Sequence, residues 1–183
     1  DTVAGNFDGI SYAKGASVLQ QLVAHVGRDN FISGLQKYFA KHAFKNTTLK
    51  DLLDELSMAS GKQLNDWVKT WLQTSGVNTM RAEMEIVGDT YKSISVIQEA
   101  PTMPKDSTQL RPHRMAVGLY DLVGEKITLR KSVQLDVSGS KTLVADLAGE
   151  KTADLLLLND QDLTYTKIRF DERSINTLKN HLG

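Results

Sequence analysis

A change of hydrophobic period near Val77 constrains this chain more than any other feature. Before it, apolar residues recur every three or four positions, the spacing of a one-sided helix; after it they recur every second position, the spacing of a half-buried strand. A helical period cannot be satisfied by a strand, so the sequence predicts two segments of different class, helices over 10–75 and strands from 80 onward. The fold class expected is α+β.

Four helices are predicted in the first segment. From Ile10 to Val26 the positions Ala13, Ala16, Leu19, Val23 and Val26 form a stripe that Gly27 closes. Over 28–43, Phe31, Leu35, Tyr38, Phe39 and His42 share a face. Thr48 can cap a third helix, with Asp51 three residues on and a stripe of Leu49, Leu52, Leu53, Leu56 and Ala59 that stops at Gly61. A fourth carries Leu64, Trp67, Val68, Trp71 and Leu72 and ends by Gly76. The two tryptophans are spaced as a core pair.

In the second segment Met80, Ala82, Met84 and Ile86 alternate with polar residues, and Gly88-Asp89 reads as a hairpin turn into 91–99. A polar loop over 100–110 follows. Further strands are expected at about 113–122, 127–137, 155–158 and 163–170. Lys131 interrupts the alternation of Ile127, Leu129, Val133, Leu135 and Val137, which suits an exposed edge or a register shift. About seven short strands predict an antiparallel β-sandwich. Asp171 then reads as the cap of a last helix running to Leu182.

Most chemistry is excluded by what is missing. The 183 residues hold 22 basic and 22 acidic side chains, so no net field draws in nucleic acid or an anionic membrane. No apolar run spans a bilayer and no signal peptide is visible. With no cysteine there is no thiol nucleophile, and a reducing, cytoplasmic setting is favoured. The sequon at Asn46 reads as accidental in that setting. There is no H-E-x-x-H, phosphate-binding glycine loop or G-x-S-x-G elbow. His25, His42, His113 and His181 fall in separate predicted elements, so each reads as structural. Arg111-Pro112-His113-Arg114 is a compact basic cluster, read as a solvated strand entrance.

One stretch remains unexplained, Phe7-Asp8-Gly9-Ile10-Ser11-Tyr12-Ala13-Lys14-Gly15-Ala16-Ser17-Val18-Leu19. Gly15 inside a helix costs about 1 kcal/mol against alanine, which suits a close backbone approach. Tyr12 lies in the first turn, where a side chain can reach past the helix end.

This stretch resembles the segment I-S-Y-x-K-G-A-x-V-L of the zinc aminopeptidases related to aminopeptidase N. The likeness continues through Val26-Gly27-Arg28-Asp29-Asn30-Phe31, Gly34, Tyr38-Phe39, His42, Thr48, Asp51-Leu52, Ser60-Gly61, Trp67, Trp71-Leu72 and Gly76. Segments 110–121 and 157–173 are similar to bacterial, actinobacterial-type members. The resemblance implies three parts: 1–76 as the helical end of a thermolysin-like catalytic domain, 77–170 as a β-sandwich, and 171–183 as the start of a C-terminal helical domain. The family's H-E-x-x-H helix, its further zinc-binding Glu and its G-x-M-x-N motif lie upstream of the matching segment and are absent here. The first residue is Asp1, and an internal piece of a longer enzyme is expected.

By this resemblance Tyr12 matches the family's catalytic tyrosine, which donates a hydrogen bond to the oxyanion formed when zinc-bound water attacks a peptide carbonyl. Phe7 matches an aromatic position lining the pocket for the first side chain of the peptide substrate. Lys14, Gly15 and Ala16 read as seating the helix. Zinc is implied for the longer enzyme and is not expected to be bound by this chain, which is expected to be inactive alone. The implied partners are the peptide substrate and the rest of the catalytic domain, and exposed helix faces predict self-association. A free-standing sandwich that binds or scaffolds a protein, padded by the helices, is the competing reading.

Overall fold

The computed structural model describes residues 9–103 and 107–182. Two compact units meet in sequence at Thr74 and Ser75.

The helical unit comprises α1 (Gly9–Val26), α2 (Arg28–His42), α3 (Leu49–Ser60) and α4 (Asn65–Leu72). Gly27 has φ +88°, a conformation L side chains rarely adopt, and so lets α2 follow α1 without a loop. Its amide still donates to the Val23 carbonyl (2.9 Å), and its own carbonyl accepts from Phe31 (2.9 Å). The Asp51 carboxylate accepts from the Thr48 amide and hydroxyl, 2.8 Å each, which fixes the entry to α3. Gly61, at φ +68°, closes that helix. Helices α2 and α3 approach closely at Gly34, where a Cβ would lie 2.8 Å from Leu56 Cδ2 and 3.2 Å from the Glu55 carbonyl. Beside this contact Lys41 Nζ donates to the buried Glu55 carboxylate at 2.7 Å.

Leu22, Val26, Leu53, Leu56, Leu64, Trp67 and Trp71 form the buried set of this unit. The tryptophan rings stack with centroids 5.9 Å apart, as the spacing predicts. The stripes are not covered along their whole length. Leu19, Phe39 and Leu49 are exposed, and Phe44, at φ +61°, stands entirely in solvent. Apolar periodicity states which residues seek a partner; it does not place that partner within these residues.

The β unit has seven strands: β1 (Thr79–Val87), β2 (Thr90–Glu99), β3 (His113–Val123), β4 (Lys126–Val137), β5 (Lys141–Leu143), β6 (Leu155–Asp160) and β7 (Lys167–Arg169). They form one sheet in the order β5-β2-β1-β7 and another in the order β4-β3-β6. Met80, Ile94 and Val96 of the first sheet share a core with Met115, Val117, Leu119, Leu156 and Leu158 of the second. Burial of these apolar faces is the main stabilisation of the unit.

All pairings are antiparallel except β1 with β7, which is parallel. Two differences from the sequence reading have local causes. The strand expected over 163–170 is reduced to three residues because Asn159, Gln161 and Asp162 take positive φ in a turn. The Asn159 amide then brackets Thr164, accepting from its N–H at 3.0 Å and donating to its carbonyl at 2.8 Å. Strand β5 is too short to show alternation and follows the turn at Gly139. Lys131 does mark a register shift: it lies opposite Leu119, whereas Leu129 lies opposite Tyr120, so Arg130 is the extra residue on edge strand β4. The Lys131 ammonium donates to the Asp146 carbonyl (2.8 Å) and the Glu150 carboxylate (2.9 Å).

Helix α5 (Glu172–His181) belongs to the same unit. Asp171 caps it, accepting from the Ser174 amide (3.0 Å) and hydroxyl (2.6 Å). Ser174 Oγ accepts from the Leu156 amide (3.0 Å), and Thr177 donates to the Asp154 carbonyl (2.7 Å), which seats α5 on β6. Among the described residues no helix is long and apolar enough to cross a membrane.

Candidate functional site at the start of α1

Tyr12 is the fourth residue of α1 and is 66% exposed, so its ring is not part of the core. A phenol carries one O–H donor on a rigid stem. The first turn of a helix points free amides outward and carries a partial positive charge. Among the described residues, the first turn of α1 holds no acidic side chain. A donor hydroxyl beside this end suits a group that becomes negatively charged.

The neighbouring residues are also open. A Cβ on Gly15 would meet nothing within 4 Å, and Lys14 and Ala16 are exposed. The close approach expected at Gly15 is therefore not made within the described residues. Phe7 lies outside the described residues, so Tyr12 is the candidate whose position can be given.

Among the described residues no group of three or more His, Cys, Asp or Glu is placed to hold a metal ion. The donor set required for the zinc implied by the resemblance is therefore not assembled by these residues, and no zinc step can be built on them.

The basic cluster at 111–114 departs from expectation. Arg111 is 4% exposed and His113 2%, whereas a solvated entrance was predicted. The reason was visible in the period: His113 is in phase with Met115, Val117 and Leu119, all inward-facing on β3. Arg114 of the cluster makes a surface ion pair, to Asp136 at 3.4 Å. His113 Nδ1 lies 2.6 Å from Thr164 Oγ1. Burial, and secondarily the Arg111 charge, pulls the imidazole down to about 3, so it stays neutral at physiological pH.

A second buried polar group sits around Asp160. It accepts from the Tyr120 hydroxyl (2.6 Å) and the Ser132 hydroxyl (2.7 Å), over the space left by Gly118. Burial and the bond to Asp160 push the Tyr120 phenol up to about 12. The Asp160 arrangement is satisfied internally and reads as a structural tie.

The sequence of residues 1–71 matches the peptidase family M1 domain. Over 100% of its length the chain is 50% identical to aminopeptidase N of Streptomyces lividans, of which it spans 22%. It is 41% identical to aminopeptidase N of Lactococcus lactis over 81 residues, 44% of this chain and 9% of that protein. The fold superposes on Legionella pneumophila aminopeptidase A, solved in complex with aspartic acid, with a TM-score of 0.68. That likeness covers 96% of this chain and 20% of the other at 17% identity.

Proposed function

Because this chain belongs to the peptidase M1 family, in its actinobacterial aminopeptidase N branch, we propose that it forms part of a zinc-dependent aminopeptidase that removes N-terminal residues from peptides. The observation that carries the proposal is the position of Tyr12. Its phenol is exposed at the positive end of α1, in the segment that matches the family. In this reading Tyr12 donates its hydroxyl proton as a hydrogen bond to the carbonyl oxygen of the scissile peptide, and the bond strengthens as that oxygen gains charge. Phe7 lines the pocket for the first side chain. Zinc supplies the Lewis acid when bound, held by residues of the rest of the catalytic domain.

The chain spans 22% of the Streptomyces relative, so the remainder of a protein of that length is the partner that completes the site. Residues 1–76 are assigned to the catalytic domain, 77–170 to the sandwich and 171–183 to the start of a helical domain. The open faces at Leu19, Phe39 and Phe44 support packing against that partner, and self-association when it is missing.

A chimaera tests the function. This chain replaces the matching segment of Streptomyces lividans aminopeptidase N, and alanyl and leucyl amides are assayed with both the chimaera and the isolated chain. The proposal expects turnover by the chimaera and none by the chain alone. A chimaera that folds and binds zinc yet does not turn over would overturn it, as would stoichiometric zinc with clear turnover in the isolated chain.

A further inference from the structure

Helix α2 is apolar on more than one side. On the side of Gly34 it meets Leu56 of α3. On another, Ile32, Phe39 and Ala43 recur at spacings of seven and four, so they line one face. All three are exposed, Ile32 at 47% and Phe39 at 64%. The row runs directly into Phe44, whose ring stands wholly in solvent.

A single exposed apolar residue is ordinary. Phe44 is not, because its φ of +61° puts a bulky side chain in the left-handed region, which sterics disfavour. That conformation is held in place by its neighbours. The Lys45 amide donates to the His42 carbonyl at 3.0 Å. The Tyr38 hydroxyl and Thr47 Oγ1 share a hydrogen bond of 2.6 Å, and the Tyr38 ring meets Phe39 edge-on with centroids 5.3 Å apart. At the far end Thr48 is bonded to Asp51 through both its amide and its hydroxyl. The turn over 43–48 is thus tied to α2 on one side and to α3 on the other. It fixes an aromatic side chain outward at a sterically unfavourable φ, where strain that serves no local packing points to a use elsewhere.

We propose that Phe44, at the end of the Ile32–Phe39–Ala43 row, is a pre-formed anchor that inserts into an apolar pocket on the part of the longer enzyme outside these 183 residues. This rests on the reading that the chain is part of such an enzyme. The chain is 50% identical over its whole length to a protein of which it spans only 22%, so in a protein of that length most of the polypeptide is available to supply the pocket. Lys45 follows Phe44 and is exposed, which suits an acidic group at the pocket rim. An aromatic ring already held in its docking position loses little freedom on insertion, the property expected of an anchor residue.

Hydroxyl-radical footprinting of Phe44, in the isolated chain and in the Streptomyces chimaera, tests the anchor. The ring is expected to be oxidised in the isolated chain and to lose that oxidation in the folded chimaera, together with Phe39. Phe44→Asn removes the ring and tolerates the positive φ. It is expected to leave the melting temperature of the isolated chain unchanged or raised, and to lower that of the chimaera. A residue that only shaped its own turn would shift both in the same direction. If the Phe44→Asn chimaera fails to fold, footprinting of the unaltered proteins still decides. Equal oxidation of Phe44 in the two proteins would overturn the proposal, as would a chimaera whose melting temperature ignores Phe44→Asn. Protection that grows with the concentration of the isolated chain and is missing from the chimaera would assign the row to a second copy and also overturn it. Neither readout depends on turnover. An inactive chimaera that shields Phe44 keeps the anchor and removes the proposed activity, and an active one that leaves Phe44 open does the reverse.

Discussion

Burial of His113 makes the β unit sensitive to acid well above the range where carboxylates titrate. The imidazole has an ordinary pKa of 6.5 in the unfolded chain and about 3 in the folded one. Below pH 6.5 the unfolded chain takes up a proton that the folded chain refuses, so stability falls as pH falls. Stability is fully present above 6.5, and the loss is complete below about 3. The slope is about 1.36 kcal/mol per pH unit, so about 3 kcal/mol is lost between pH 6.5 and 4.5 and about 5 kcal/mol by pH 3. Against a total stability of about 5–15 kcal/mol for a domain, this is a large share. The pH window is separable from that of Asp154, whose carboxyl the Leu122 amide and Arg173 pull below its ordinary value of 3.8. Stability supplied by Asp154 is present above that value and goes only as pH falls further. Urea unfolding followed by circular dichroism at pH 7, 6, 5 and 4.5 measures the slope. His113→Asn removes the titration and can keep a hydrogen bond to Thr164. The expected result is a steep loss of stability in the unaltered chain and a much shallower one in the variant. Equal slopes in the two chains would refute the reasoning, whatever their absolute stabilities.

Three further substitutions probe the packing and the caps. Gly34→Ala forces a methyl against Leu56 and the Glu55 carbonyl at the α2–α3 contact and should cost about 1–3 kcal/mol, read by urea unfolding of the helical unit through tryptophan fluorescence. Asp171→Ala removes the α5 cap and should cost about 1 kcal/mol, with faster amide exchange in the first turn of α5 and at Leu156. Tyr120→Phe takes one of two donors from Asp160 and should cost about 1–3 kcal/mol, whereas Ser132→Ala in the same background should cost more than the two single changes added, because the carboxylate then loses both.

How far the sequence carries depends on the kind of signal. Periodicity located α1 to α4 and most strands because burying an apolar face is a local requirement written at fixed spacing. It was also sufficient to place Trp67 and Trp71 in the core and to mark the register shift at Lys131. It did not mark β5 or the parallel pairing of β7, since three-residue strands hold too few alternations and their partners lie far off in sequence. Composition misread Arg111 and His113. A cluster of charge looks like surface, yet His113 follows the inward phase of β3, and Asn78 and Ser75, more than thirty residues away, satisfy the guanidinium. At the candidate site, the residue type and its place in the first helical turn were legible at Tyr12. The rest was not, because a catalytic donor is defined by groups it faces, and the described residues hold no metal-binding cluster.

Substituting Tyr12 by Phe in the chimaera bears most directly on the central claim, since it deletes one hydroxyl from an exposed ring and disturbs no core. If the phenol stabilises the oxyanion, kcat should fall by about 100- to 1,000-fold, or about 3–4 kcal/mol, with KM and bound zinc little changed. A kcat within a few-fold of the unaltered chimaera would show that Tyr12 does not carry the charge it is assigned.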